Sequence, residues 1–182
     1  YNNYPKYLKN IYNPPPLFYY RGTLNIDWDN SLAVVGARKF SDYGKNIVDK
    51  LIPGVSVQGI AIISGLALGI DSLSHRSALK SKGKTVAVLG SGLDKASIYP
   101  YSNKYLALEI IASGGLIISE FPLGTKPLAY HFPQRNRIVA GLTPVTLVVE
   151  AGIKSGSLIT AKSALEEGRE VCSIPGDIFC DN

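Results

Sequence analysis

Leu32-Ala33-Val34-Val35-Gly36-Ala37-Arg38-Lys39 runs four apolar residues into a glycine, an alanine and two cations. The same grammar recurs along the chain. Ala61-Ile62-Ile63 ends at Ser64-Gly65, and Thr85-Val86-Ala87-Val88-Leu89 ends at Gly90. Leu116-Ile117-Ile118 ends at Ser119-Glu120, Val145-Thr146-Leu147-Val148-Val149 at Glu150, and Val171-Cys172-Ser173-Ile174 at Pro175-Gly176. Short β-branched runs without polar alternation are the pattern of strands covered on both faces, as in a parallel sheet.

Helical spacing fills the gaps. Ser41 can cap a helix that is expected to stop before Pro53. Further helices are expected over 70–81, 102–113, 133–142 (with Pro133 in the first turn) and 157–167. Strand and helix alternate, so the chain is read as α/β. The sheet is doubly wound and mostly parallel with helices on both faces, an extended Rossmann-like fold. Residues 1–30 are read as an N-terminal lead-in packed on the core. It is expected to be extended, because Pro5 and Pro14-Pro15-Pro16 fix φ and remove donors. Residues 31–182 form the Rossmann-like domain.

Composition sets bounds on function. The 182 residues are 46% hydrophobic and 18% charged, enough for a packed core without disulfides or metal. The two cysteines, Cys172 and Cys180, and two histidines, His75 and His131, cannot build a disulfide framework or a four-cysteine zinc site. No apolar run approaches the roughly 20 residues of a membrane span. The chain opens on Tyr1 with no leader of the secretory kind, so it is read as a cytoplasmic protein lacking some N-terminal sequence. A net charge of +5 with no basic tail is compatible with a polyanionic partner.

In an open parallel sheet, ligands bind beyond the carboxyl ends of the strands. The turns there, at 36–39, 64–69, 90–94 and 154–157, are rich in glycine and serine and carry Arg38 and Lys154. Glycines let a phosphate approach the backbone, and helix N-termini add free N–H groups and partial positive charge. The dinucleotide fingerprint fails, since Gly36-Ala37-Arg38 lacks the second glycine and Gly90-Ser91-Gly92 has Lys95 in place of the third. A P-loop fails too: Gly83-Lys84-Thr85 precedes a strand. His75 follows Asp71 by one helical turn, a spacing shared by catalytic pairs and by buried structural bonds. Glu150 is a candidate carboxylate without a second acid in its loop. His131-Phe132-Pro133-Gln134-Arg135-Asn136-Arg137 puts an aromatic beside two arginines at a helix start, which suits base stacking and phosphate contact. One arginine is expected to be structural, paired with Glu120 or Glu150, and the other to face a ligand.

These motifs resemble, in order, the DNA-processing protein A (DprA or Smf) family of bacteria. The resemblance is carried by Gly36-Ala37-Arg38, Ser64-Gly65-Leu66-Ala67-Leu68-Gly69-Ile70-Asp71 with His75, and Gly90-Ser91-Gly92-Leu93-Asp94. Tyr99-Pro100, Ser119-Glu120, Phe132-Pro133-Gln134-Arg135-Asn136-Arg137 and Glu150-Ala151 follow, then Ser155-Gly156-Ser157-Leu158-Ile159-Thr160-Ala161 and Pro175-Gly176. It implies a non-catalytic protein that binds single-stranded DNA, protects incoming strands in natural transformation, loads the RecA recombinase and forms a homodimer. Double-stranded DNA stays open as a second ligand, and no metal or cofactor is expected. The implied DNA-binding residues are Arg38, Lys39, Gly65, Leu66, Gly69, Ser91, Phe132, Arg135, Asn136, Arg137, Lys154, Ser155, Gly156, Ser157 and Thr160. One departure stands out: Lys95-Ala96-Ser97-Ile98 makes the loop before Tyr99-Pro100 two residues longer than the family usually has. The alternative reading is a nucleotide phosphoribohydrolase, a group with a similar fold and a P-G-G-x-G-T-x-x-E turn. Here the corresponding turn, from Gly152 to Thr160, is followed by no carboxylate until Glu166.

Overall fold

The inner strands are buried at nearly every position, with alternate side chains packing against helices on opposite faces. The computed structural model describes residues 4–176, so Cys180 and the first three residues of the lead-in lie outside the described residues. Seven strands form one sheet: β1 (Tyr19–Gly22), β2 (Ser31–Val35), β3 (Ala61–Ser64), β4 (Thr85–Val88), β5 (Leu116–Ser119), β6 (Val145–Val148) and β7 (Glu170–Ser173). Their spatial order is β1-β5-β4-β3-β2-β6-β7, with β1 antiparallel to β5 and every other pair parallel. The helices are α1 (Lys6–Lys9), α2 (Asp42–Val57), α3 (Ile70–Lys80), α4 (Lys104–Ala112), α5 (His131–Gly141) and α6 (Gly156–Glu166).

Alternate strand residues point to opposite faces. Ala33, Val35, Ile63, Val86, Val88 and Ile118 pack with Leu8 of α1 and Ile138 and Val139 of α5. Their neighbours Val34, Ile62 and Leu147 pack with Val48 and Ile52 of α2 and Ile70 of α3, while Ala87 and Ile117 meet Leu106 and Ile110 of α4. The inner strands β2 to β6 are therefore apolar on both sides because helices cover both sides, whereas the edge strands β1 and β7 are largely exposed, so the run at 171–174 is not covered on both faces as expected. Among the described residues no helix is long and apolar enough to cross a membrane.

Two local expectations are corrected. α2 does not stop before Pro53 but continues through it to Val57. Proline removes one hydrogen bond, to the carbonyl four residues back. Buried Val48, Ile52 and Ser56 keep the same face of α2 against the core on both sides of it. Ser41 caps α2 as expected, its hydroxyl accepting from the Gly44 N–H at 3.1 Å. The lead-in is not wholly extended either: Lys6–Lys9 form one helical turn, with Pro5 at the N-cap where its missing donor costs nothing. That turn places Leu8 and, just beyond it, Ile11 against the core, both buried.

Candidate nucleic-acid interface

Strands β2 to β5 wind outward in one direction, and β6 and β7 lie on the other side of β2. The winding reverses between β2 and β6, and a crevice opens there at their carboxyl ends, where open α/β sheets hold ligands. The cleft has a volume of about 620 Å³. Its walls come from the turn after β2 (Gly36, Ala37, Arg38), the turn after β3 (Gly65, Ala67), the first turns of α5 (Phe132, Pro133, Arg135, Asn136) and the start of α6 (Lys154 to Ser157, Thr160). Residues more than a hundred positions apart thus meet in one site.

The cleft floor is the turn after β3. Asp71 accepts the N–H groups of Gly65 at 3.1 Å and Ala67 at 3.3 Å. From the other side, the Asn103 amide donates to the carbonyls of Leu66 at 3.0 Å and Ala67 at 3.2 Å. These bonds clamp Leu66 in a left-handed conformation, φ 58°, that a branched side chain rarely takes. Arg135 completes the clamp, its guanidinium donating to the carbonyls of Gly65 and Val88. Gly65 is required to be glycine because a Cβ there would stand 2.5 Å from the Arg135 guanidinium carbon. Burial pushes Arg135 down to about 10, against the pull of the Asp71 carboxylate, so it stays cationic at neutral pH. Burial raises the Asp71 carboxyl, with Arg135 opposing the shift.

Charge facing the cleft is positive. Arg38 and Lys154 are exposed and line it. The Ser155 hydroxyl caps α6 by accepting from the Ser157 N–H, and Asn136 donates to the Gly156 carbonyl at 3.3 Å. The N-termini of α5 and α6 both open into the cleft, adding their partial positive charge. Phe132 stands between this cleft and a smaller one lined by Arg38, Leu68, Tyr99 and Pro100. Its ring lies 5.6 Å from that of Tyr99.

The sequence-derived residues separate cleanly. Arg38, Gly65, Phe132, Arg135, Asn136, Lys154, Ser155, Gly156, Ser157 and Thr160 line the cleft. Lys39 is exposed beside it. Leu66 and Ser91 do not reach it: Leu66 is fully buried in the core under α4, and the buried Ser91 accepts the Ser119 hydroxyl on its carbonyl. Gly69 is buried under the Ala37 and Arg38 backbone, where it supports the rim from behind.

The expected division of the two arginines also fails. Arg135 is committed to backbone carbonyls, and Arg137 forms a 2.6 Å ion pair with Glu120, one of the two acids foreseen for the structural arginine. Arg137 does not line the cleft and Arg135 is spent on its floor, so the exposed Arg38 is its ligand-facing arginine. Asp71 and His75 form no pair. His75 Nδ1 lies 2.7 Å from the Thr85 hydroxyl, which itself donates to the Ile62 carbonyl. Glu150 accepts the backbone N–H and hydroxyl of Ser41 and so holds the start of α2. The longer loop before Tyr99 is tied down by Asp94, which accepts the Ser97 hydroxyl at 2.8 Å and the Gly124 N–H at 2.6 Å. The sequence reading assigns no role to Asn103, which sits between Ser102 and Lys104 at the helix start and leaves no local signal.

The family model for DNA recombination-mediator protein A matches residues 1–182. The DNA processing protein DprA of Streptococcus pneumoniae is 47% identical over 176 residues, which cover 97% of this chain and 61% of that protein. Its X-ray structure aligns with a TM-score of 0.89 at 44% identity, over 98% of this chain and 62% of that one. The DNA processing protein DprA of Bacillus subtilis is 43% identical over 177 residues, 97% of this chain and 59% of that protein. The chain thus spans about three-fifths of the length of these relatives. DNA processing protein A of Helicobacter pylori, a structure that gives insight into that protein's single-stranded DNA binding mode, aligns with a TM-score of 0.87 at 29% identity. The match covers 97% of this chain and 80% of that one.

Proposed function

The chain belongs to the DNA recombination-mediator protein A family, and from that premise and the cleft geometry we propose that it binds single-stranded DNA, without catalysis, in the crevice between β2 and β6. One observation carries the reading: Arg38, Lys154 and the N-termini of α5 and α6 converge on one cleft that also exposes an aromatic face, Phe132. Cations and free amides match phosphates, and a ring matches any base. The remaining members of the site, Gly65, Arg135, Asn136, Ser155, Gly156, Ser157 and Thr160, shape and hold the cleft. Lys39 adds charge at its edge. The phosphoribohydrolase reading needs an acid free to assist glycosidic cleavage, whereas the Asp71 carboxylate in this cleft is occupied by the Gly65 and Ala67 amides.

Fluorescence anisotropy of a labelled oligo-dT, titrated at two salt concentrations, tests the proposal. Tight, salt-sensitive and largely sequence-blind binding is expected. Arg38→Ala should weaken it and reduce the slope of log K against log salt by about 0.7, one phosphate contact on a single strand. An unchanged slope would remove Arg38 from the interface. Phe132→Ala should cost about 1–3 kcal/mol of binding. Full affinity in a folded Phe132→Ala protein would assign the ring to packing against Tyr99 and Gly90 instead. Competition with duplex DNA at the same salt decides whether double strands bind too.

The wider role proposed with this site is protection of incoming strands in natural transformation and delivery of RecA to them, by a cytoplasmic homodimer. Family membership supports it. Light scattering of the purified chain and RecA filament nucleation on a strand coated by the protein are its checks. A monomeric mass at working concentration would sink the dimer.

A further inference from the structure

The cleft does not end at Phe132. Its smaller neighbour shares Arg38, Gly65, Ala67, Phe132 and Arg135 with it and adds Leu68, Tyr99 and Pro100. Beyond Tyr99, which is half exposed, the chain turns into a short 3₁₀ segment, Tyr101–Asn103, and then α4. Tyr101, in the 3₁₀ segment, and Tyr105, in the first turn of α4, are 77% and 78% exposed.

Two contacts bear on this segment. Asn103, buried between the two tyrosines in sequence, is the residue whose amide holds the Leu66 and Ala67 carbonyls of the cleft floor. And the Lys104 ammonium lies 4.9 Å from the centre of the Tyr101 ring, which puts a cation beside an exposed aromatic face. Core residues Leu106, Ala107 and Ile110 point the other way, so the tyrosines are not spare core. One turn past Tyr105 the same face carries exposed Glu109, which opposes a polyanion and marks an end to the stripe.

We propose that a single strand leaving the cleft passes over Phe132 and Tyr99 and is held further by Tyr101 and Tyr105, whose rings stack on successive bases while Lys104 meets a phosphate. The inference rests on the cleft being a single-stranded DNA site. A positive groove interleaved with rings is how sequence-blind strands are held, since every base has a π-face. A protein partner would call for a contiguous apolar patch; here exposed Ser102 and partly exposed Lys104 break the rings apart.

The test compares oligo-dT of about 4 and about 16 nucleotides, spanning the range of site sizes for single-strand grooves, on the wild-type chain and on Tyr101→Ala/Tyr105→Ala. The double variant is expected to bind the long strand about a hundred-fold more weakly, roughly ten-fold for each ring, and the short strand as wild type does. Tyr101→Phe/Tyr105→Phe should restore long-strand binding, since stacking needs the ring and not the hydroxyl. Replacing the bases of one half of the long strand with abasic sites should weaken wild type but not the alanine variant. Equal long-strand affinity in wild type and the alanine variant would overturn the tyrosine track while leaving the cleft intact. A phenylalanine variant as weak as the alanine one would overturn stacking. Failure of the wild-type chain to bind either strand would overturn the cleft reading and the track with it.

Discussion

Arg135→Ala is expected to lower folding stability by about 3–5 kcal/mol, the cost of breaking a buried charge network by removing one partner. The side chain is 4% exposed. Its guanidinium satisfies two buried carbonyls, those of Gly65 and Val88, and its Nε donates to the Asn136 amide oxygen at 3.2 Å. It is also the positive charge that opposes the burial of Asp71. Alanine would leave both carbonyls without a donor, Asp71 without a counter-charge, and a cavity beneath the cleft. Arg135→Lys should recover part of the loss, because both carbonyls are served by the one nitrogen Nη1 while the Nε bond to Asn136 is lost. Urea denaturation reads the effect as a shift of the midpoint. A loss below about 1 kcal/mol would mean that water or Asn136 replaces the guanidinium without cost. Where the variant remains folded, its salt slope for oligo-dT should match wild type, since this arginine is spent on carbonyls. A slope reduced like that of Arg38→Ala would instead put Arg135 on a phosphate.

His75 makes the fold sensitive to mild acid. The ring is fully buried and is held neutral down to about pH 3 by desolvation first and by Arg135 second. Its Nδ1 donates to the Thr85 hydroxyl, because that hydroxyl gives its own proton to the Ile62 carbonyl. Nε2 is left without a partner among the described residues. In the unfolded chain the same ring takes a proton near its ordinary value of 6.5. The unfolded state therefore binds the proton more readily between the two values. The stabilising contribution is complete above about pH 6.5 and is lost as pH falls from there towards 3, by about 1.4 kcal/mol per pH unit. Asp71 works in the opposite sense: its carboxyl is raised by burial, so its contribution is present below 3.8 and is lost as pH rises from there. His75→Asn keeps a donor near the Nδ1 position and does not titrate. It should be less stable at pH 7.5 yet lose less of its stability between pH 6.5 and 5. Parallel stability curves for the two proteins would show that His75 titrates normally in the fold.

These two residues also show where reading the chain stops. Strand positions are legible because a run such as Val86-Ala87-Val88 needs cover on both faces whatever its neighbours are, and the structure supplies α5 on one side and α4 on the other. The glycine- and serine-rich turns are legible as a rim because they end those strands, and the structure brings three of them to the cleft. The same signals mislead where a turn folds inward: Leu66 and Ser91 carry the right spacing and end up in the core.

The succession from β2 to β7, the two-sided burial of the inner strands and the carboxyl-end rim follow from residues a few positions apart, whereas α1, β1 and the exposure of β7 do not. Tertiary structure alone decided the reversal between β2 and β6, and the persistence of α2 through Pro53. It also decided which arginine remains for a ligand. Arg135 finds its acceptors 70 and 47 residues away and Arg137 its acid 17 residues away. A long polar side chain takes whichever buried partner the fold brings within reach. Local spacing carries no record of that partner, because the desolvation that selects it exists only once the sheet has closed over it.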